Sequence, residues 1–415
     1  MPTTSAQRRV SHLATLTAVH RAFHWLHLYQ PQLRQWLLEI VRIPAPPFGE
    51  SARAAWFLER FHQLGLTNVH QDDEGNVLAE LASASPSPDA PVVVLSAHLD
   101  TVFPANIAIK PTEEKNSHRI SAPGICDNAA GLTGLLAIAA ALRYANITPP
   151  IPILFTANVG EEGEGDLRGM RHLFERGPYR ARIAAAIALE GSGSSAVVTR
   201  ALGSLRFRIT ITGPGGHSWT DAGTLNPILL LSQAITRIAA LELPTEPTTT
   251  INIGHISGGT SINSIPESAT ALLDIRCTAS AQLIATADAL RQIFEETVSP
   301  TTSQKTTNTH AKLQIETIGN RPAAALPDDS PLLHTLRAVD RHLTLRTEPR
   351  LGSTDANIPL SLGIPAIAIG TGGQGGGIHT LQEWYDPTGR ETALRRILLT
   401  LLDTLQTTAV PPPPS

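Results

Sequence analysis

His98 and Asp100 stand two residues apart where an apolar run ends, in the sequence Val-Val-Val-Leu-Ser-Ala-His-Leu-Asp-Thr at 92–101. An imidazole beside a carboxylate suits a metal site, because the acid can hold the ring in one tautomer and orientation. The run has no polar alternation and reads as a strand buried on both faces. Side chains two apart on a strand point the same way, so both groups project from its C-terminal end, where open α/β sheets hold their ligands. Four more places offer ligand-type residues: Asp127 within Gly124-Ile125-Cys126-Asp127-Asn128, Glu161-Glu162 after the apolar run 151–157, Glu190 after the apolar run 183–189, and His379 after a glycine-rich loop. Taken singly, each is an ordinary loop acid, helix cap or structural hydrogen bond. Together they follow strands whose ends share one edge of a parallel sheet, so the groups converge. Three carboxylates packed without a cation would repel one another and raise their pKa values. Two divalent cations reverse that, leaving a site of roughly +1 that can polarise a carbonyl and acidify a bridging water. One glutamate of the pair at 161–162 should stay off the metal, since a coordinated carboxylate is a poor base. The residues alone do not say which.

The chain must supply elements to position these groups, and 415 residues are enough for two domains with real cores. A formal charge of −4 shows no basic excess, which argues against nucleic acid and anionic membrane as partners. Cys126 and Cys277 are the only cysteines, so a disulfide framework or cysteine-rich zinc site is excluded and any metal falls to carboxylates and the 15 histidines. Near the N-terminus, His12, Thr15, Thr17, His20 and His24 interrupt any signal-peptide core, and no stretch reads as long enough to span a bilayer. A cytoplasmic enzyme is the expectation.

Helical patterns cover 11–29, 31–42 and 50–64, with a proline-rich loop at 43–48 and Gly65 as a C-cap. A strand pair near 68–82 and a polar turn at 83–91 precede the central strand. Beyond it come a hairpin at 107–121, a buried helix at 131–144, and buried strands at 151–157 and 183–189. Near residue 204 the pattern changes to strand 205–212, helix 225–241, strands 249–257 and 268–277, helix 279–297 and strand 312–318. That β-α-β-β-α-β order is the split βαβ (ferredoxin-like) arrangement. The α/β pattern resumes with helices at 329–343 and 355–361, strand 366–369 and a closing helix 389–406. Residues 411–414, all proline, read as a frayed tail.

His98-Leu99-Asp100, Asp127-Asn128, Glu161-Glu162, Glu190 and His379 resemble the M20 family of dinuclear zinc peptidases and deacylases. The likeness runs from about residue 90 to 390. It takes in Gly213-Pro214-Gly215-Gly216-His217-Ser218, the segment from Gly258 to Pro266, Asp274-Ile275-Arg276, and Ser353-Thr354-Asp355-Ala356-Asn357. The first ninety residues match only loosely.

The resemblance implies an α/β fold: a mostly parallel-sheet, zinc-exopeptidase catalytic domain over 1–200 and 322–415, with an inserted split βαβ lid and dimerisation domain at 201–321. It implies two divalent ions per chain, zinc by the ligand types with cobalt or manganese as substitutes. Asp127 would bridge them, Glu162 and His379 completing one site, His98 and Glu190 the other. Glu161 would be the general base, and Asp100 would support His98. His217 would reach the partner subunit's site in a homodimer and stabilise the oxyanion, while Asn263 and Arg276 would help hold substrate or the dimer. Arg321 is a further candidate clamp for a substrate carboxylate, and the exposed N–H groups of glycines 372–377 are another. The implied reaction is amide hydrolysis at the end of a small peptide. A deacylase of N-acyl amino acids is the alternative within the family, and a catalytically silent scaffold the alternative outside it. Glu190, where many aminopeptidase relatives have Asp, leans toward deacylase or carboxypeptidase chemistry. The stretches 160–169 and 353–357 lean toward aminopeptidases.

Overall fold

The computed structural model describes residues 4–84, 87–115, 117–299 and 311–409. The prolines at 411–414 lie outside them. The chain divides into two compact units, Met1–Ala201 with Ala325–Ser415, and Leu202–Ala324.

The first unit is a mixed α/β fold around a mostly parallel sheet. Val92–His98 is buried at all seven positions: Ile153–Asn158 and Ile183–Leu189, each parallel to it, pair with its two edges, and helices Gly131–Tyr144 and Arg390–Ala409 pack against it. Ala366–Ile369 extends the parallel run beyond Ile183–Leu189. Antiparallel strands close the flanks, Val77–Leu81 with Thr67–Gln71 on one side and Ala196–Ala201 on the other. In register His98 lies opposite Asn158, and Ile369 opposite Leu189. The C-terminal ends of the four parallel strands therefore stop on one edge. A small second sheet pairs Gln374–Gly376 with Trp384–Asp386, which continues through Ile120–Ser121 to Thr112–Glu113.

Helix Gly131–Tyr144 forms the core beneath this edge and is buried continuously from Gly131 to Leu142. Contrary to the sequence expectation, Ile125–Tyr144 is long and apolar enough by length and composition to cross a membrane. Its most apolar window is 94% buried, under the helices Thr17–Leu28, Gln30–Val41 and Arg390–Ala409, so it is a core helix of this unit. The segment expected as one helix over 11–29 is two, Ser5–Thr15 and Thr17–Leu28, broken at Leu16 with φ −69° and ψ 132°. Thr4 caps the first by accepting from the Gln7 backbone N–H, and the Gln7 side chain returns the bond to the Thr4 N–H. Several strands escape the sequence reading, two of them long. Ala196–Ala201 has glycine and serine before it, and Glu348–Gly352 is polar and carries Pro349, which its exposed edge position tolerates.

The second unit is an antiparallel sheet ordered Thr249–Gly258, Ser268–Cys277, Gly203–Thr212, Lys312–Arg321. Alternate residues of its inner strands, among them Phe207, Ile209, Ile211, Leu273 and Ile275, are buried in one core with helices Pro227–Ala239 and Ser280–Val298. Connectivity and strand order are those of the split βαβ arrangement.

Candidate metal centre

Three of the parallel strand ends deliver His98, Glu161 with Glu162, and Glu190, and two loops supply Asp127 and His379. His98 closes its strand, and its Nε2 stands 3.1 Å from Asp127 Oδ1 and 3.2 Å from Glu190 Oε1. Asp127 sits in the turn before the core helix, where it and Asn128 depart from helical backbone (φ −111° and −129°). Glu190 is the first residue after Ile183–Leu189, its N–H bonded to the Ile369 carbonyl at 2.9 Å. On the other side of Asp127, Oδ2 lies 3.2 Å from His379 Nε2, which is 2.9 Å from Glu162 Oε1. His379 is held in the connection between the paired strands Gln374–Gly376 and Trp384–Asp386. Its backbone has φ 64°, a left-handed conformation that costs a non-glycine residue about 1–2 kcal/mol. The result is two ligand groups, His98–Asp127–Glu190 and Asp127–Glu162–His379, each with its ligand atoms within 4.8 Å of one another. Asp127 belongs to both, one oxygen to each.

The donor chemistry fits a cation in each group. His98 Nδ1 is 3.0 Å from the Asp100 carbonyl, which can only accept, so Nδ1 carries a proton. In a neutral ring Nε2 would then aim its lone pair at two carboxylates, which is repulsive unless a metal or a second proton lies between them. Asp127 Oδ1 and Glu190 Oε2 are buried without a hydrogen-bond partner. Two histidine nitrogens and three carboxylates are ligands that zinc takes.

Without metal, protons do the compensating. Burial disfavours charge on His98, but Glu190, Asp100 and Asp127 outweigh it and raise the ring's pKa well above its ordinary value. Hydrogen bonding to Asp127, against a smaller effect of burial and with Glu162 adding to it, raises His379 to about 9. Burial and then the charge of Asp127 push Glu162 up to about 7. Burial also raises Glu190, with His98 opposing. Asp127 is held low despite its burial, because His379 bonds to it and the charge on both rings favours its ionised form. A site that keeps its like charges apart only by binding protons is one that divalent ions would occupy in their place.

Residues behind the ligands fix the geometry. The Asp100 carboxylate accepts the backbone N–H groups of Glu161 at 2.9 Å and Glu162 at 2.7 Å, pinning the turn that presents both side chains. Glu383 was not visible in the sequence as a site residue. Fully buried, it accepts the N–H groups of Gly124 (2.9 Å), Cys126 (2.8 Å) and Asp127 (2.8 Å), shaping the turn that aims Asp127. Burial raises its carboxyl to about 6. Asn128 Oδ1 takes the N–H of Gly131 and of Gly191, tying that turn to the Glu190 loop. Buried Arg53 donates to the Leu99 and Ile43 carbonyls and anchors the segment between His98 and Asp100. Asp355, within a motif that the sequence reading quoted without giving it a role, is buried and bonded to Asn158 Nδ2 at 2.8 Å, and burial lifts its carboxyl to about 7.

Residues 94–406 match the peptidase family M20/M25/M40. The chain belongs to this family. It is accordingly a hydrolytic enzyme of a peptidase family. The M20 chain is 25% identical over 369 residues to the uncharacterised protein YqjE of Bacillus subtilis, covering 85% of this chain and 93% of that one. It is 31% identical over 248 residues to a probable carboxypeptidase of Aspergillus terreus, covering 56% of this chain and 53% of the relative. It thus spans about half the length of that fungal protein. The fold is shared with a tripeptidase from Staphylococcus aureus, with a TM-score of 0.72 at 23% identity, covering 91% of this chain and 98% of the other. It is shared also with the aminopeptidase PepT of Bacillus cereus, with a TM-score of 0.70 at 22% identity, covering 91% and 99%.

The remaining expected site residues of this M20 chain lie in the second unit. His217 Nδ1 accepts the backbone N–H groups of Trp219 (3.2 Å) and Thr220 (3.3 Å). Its proton is therefore on Nε2, which leaves the ring an outward donor. Asn263 lies beside it, where Gly216–His217 pairs antiparallel with Ser264–Ile265: its carbonyl accepts the Ser218 N–H at 3.0 Å, and its Oδ1 the Ser261 hydroxyl at 3.1 Å. Arg276 is engaged by Asp274 at 2.7 Å. Arg321 is buried at the end of its strand, opposite Ser204, which pairs with Arg276 on its other side. Neither ligand group contains any of these four residues or Glu161.

Proposed function

We propose that the chain is a metal-dependent exopeptidase that cleaves the amide bond at the end of a small peptide. One observation carries this reading: a single carboxylate, Asp127, divides its two oxygens between two groups that each add one histidine and one glutamate. Bound divalent ions, zinc in the first instance, would supply Lewis acidity to the scissile carbonyl and to a water. Glu161 accepts the proton of the attacking water as the C–O bond forms and passes it to the leaving amine as the C–N bond then breaks. Its burial beside Glu162 and its absence from both ligand groups support that role. Asp100 acts by placing Glu161 and Glu162 relative to one another.

The second unit serves as lid and homodimer contact, and His217 donates from Nε2 to the developing oxyanion. Its fixed tautomer supports this. Asn263, Arg276 and Arg321 are assigned to substrate. Replacing His217 with Ala should lower the rate about 10²–10³-fold, as the loss of an oxyanion donor does. A fully active monomer, or a His217→Ala variant of unchanged rate, would remove both assignments.

Dipeptides, tripeptides and N-acyl amino acids assayed with zinc, cobalt and manganese test the whole reading. Turnover of free peptides above N-acyl amino acids is the expected result. Turnover of N-acyl amino acids alone would make the chain a deacylase, and no metal bound with no turnover would make it a scaffold.

A further inference from the structure

A cavity of about 800 Å³ opens between helices Ser5–Thr15, Pro331–His342 and Arg390–Ala409, lined by none of the metal-ligand candidates. Its volume is that of a small-molecule site. Of its nine lining residues, Arg9, His334, Arg337 and Arg341 carry or can carry positive charge, and none is acidic. In a chain of net charge −4 this is a local excess of the opposite sign. His334, Arg337 and Arg341 recur at spacings of three and four along one helix and so share a face. Arg9 is neutralised, with Nε and Nη2 on the two oxygens of buried Asp403 at 2.8 and 2.9 Å. The other two arginines are not. Arg337 comes no nearer than 3.8 Å to Asp328, whose side chain is 98% exposed, and among the described residues Arg341 is bonded only to the Arg337 carbonyl at 3.4 Å.

Backbone donors add to this charge. In the first turn of Ser5–Thr15, the Thr4 hydroxyl takes the Gln7 N–H and the Thr4 carbonyl the Arg8 N–H. The N–H groups of Ser5 and Ala6 are left without an intrahelical acceptor, and both residues line the cavity. No acid occupies that first turn to satisfy the positive helix end. Guanidinium forks beside free N–H groups match the several oxygens and double charge of a phosphate better than a single carboxylate.

We propose that this cavity binds a small molecule carrying a phosphate monoester. Calorimetric titration of the zinc-loaded protein with phenyl phosphate at fixed ionic strength tests it, with benzoate as the singly charged control. Wild-type protein should bind phenyl phosphate saturably and benzoate at least tenfold more weakly. The Arg337→Ala/Arg341→Ala variant should lose at least tenfold in phenyl phosphate affinity while keeping its metal content and its unliganded melting temperature. If the double variant fails to fold, Arg341→Gln at its exposed position carries the same test. No saturable binding below ~10 mM would overturn the proposal. So would equal affinity in the variant, which would put the phosphate on the metal ions, and so would benzoate binding as tightly as phenyl phosphate.

Discussion

Filling the metal centre should release protons, and the structure says how many. At pH 7 the metal-free His98 ring, raised well above its ordinary value by its carboxylate neighbours, holds a second proton. His379, raised to about 9, is protonated at pH 7 as well. Glu162, at about 7, is half protonated. Metal ligands must give up these protons, so one from each ring and half of one from the glutamate make a release of roughly two and a half per chain. Glu190, also raised, can only add to that. The assay is calorimetric: zinc is titrated into metal-free protein in buffers of different ionisation enthalpy, and the slope of observed heat against that enthalpy counts the protons. His379→Ala should lower the count by between about half and one, because it removes the ring's proton and also the charge that holds Glu162 down, so that Glu162 gives up more. A release well below one proton with both ions bound would mean that the rings enter neutral. The space between Nε2 and the two carboxylates would then need no positive charge.

Other consequences follow from the same contacts. Glu162→Ala should lose metal, whereas Glu161→Gln should keep it and lose about 10²–10⁴ in rate; metal analysis with turnover separates them, and the reverse pattern would exchange the two roles. Glu383→Gln places an amide against three backbone N–H groups and should weaken zinc about 10–100-fold in a chelator competition. Unchanged affinity would detach Glu383 from the centre. The metal-free protein should melt lower as pH rises. Glu162 must give up its proton while buried between its ordinary 4.5 and about 7, and the attraction of His379 for its carboxylates is lost between its ordinary 6.5 and about 9. A metal-free melting temperature that stays level or rises over that range would refute the sign, with the zinc-loaded protein as the flatter control.

The parts legible in the sequence were those whose signal is local. Val92–His98 is uniformly apolar because both its faces are covered, and ligand types at strand ends stand out by chemistry and by the shared edge. The break at Leu16 left little trace, since the apolar spacing carries on past it. Glu383 left none: its partners are backbone N–H groups of a turn some 256–259 residues away, which no residue type marks.

The choice between Glu161 and Glu162 shows the same limit and how the fold removes it. As neighbours in one turn they are chemically identical, and composition gives no reason for either to take the metal. Both their N–H groups bond to the two oxygens of Asp100, 61 and 62 residues earlier in the chain, which fixes the peptide between them in one orientation. In that orientation the Glu162 carboxylate meets His379, and Glu161 joins neither ligand group. Asp100 supports His98, as expected, through its carbonyl, which takes the ring N–H at 3.0 Å, with the nearer carboxylate oxygen at 3.5 Å. The carboxylate is spent on the glutamate turn. On the proposed roles, Asp100 couples the two ligand groups: its backbone orients His98 of one, and its side chain fixes the turn that brings Glu162, and not Glu161, into the other. Asp100→Asn, which keeps the carbonyl but puts an amide where an acceptor is needed, should leave the His98 group able to bind while loosening the Glu162 group, so that one ion binds markedly more weakly than the other. Two ions weakened equally, or neither, would show that the carboxylate does not sort the glutamates.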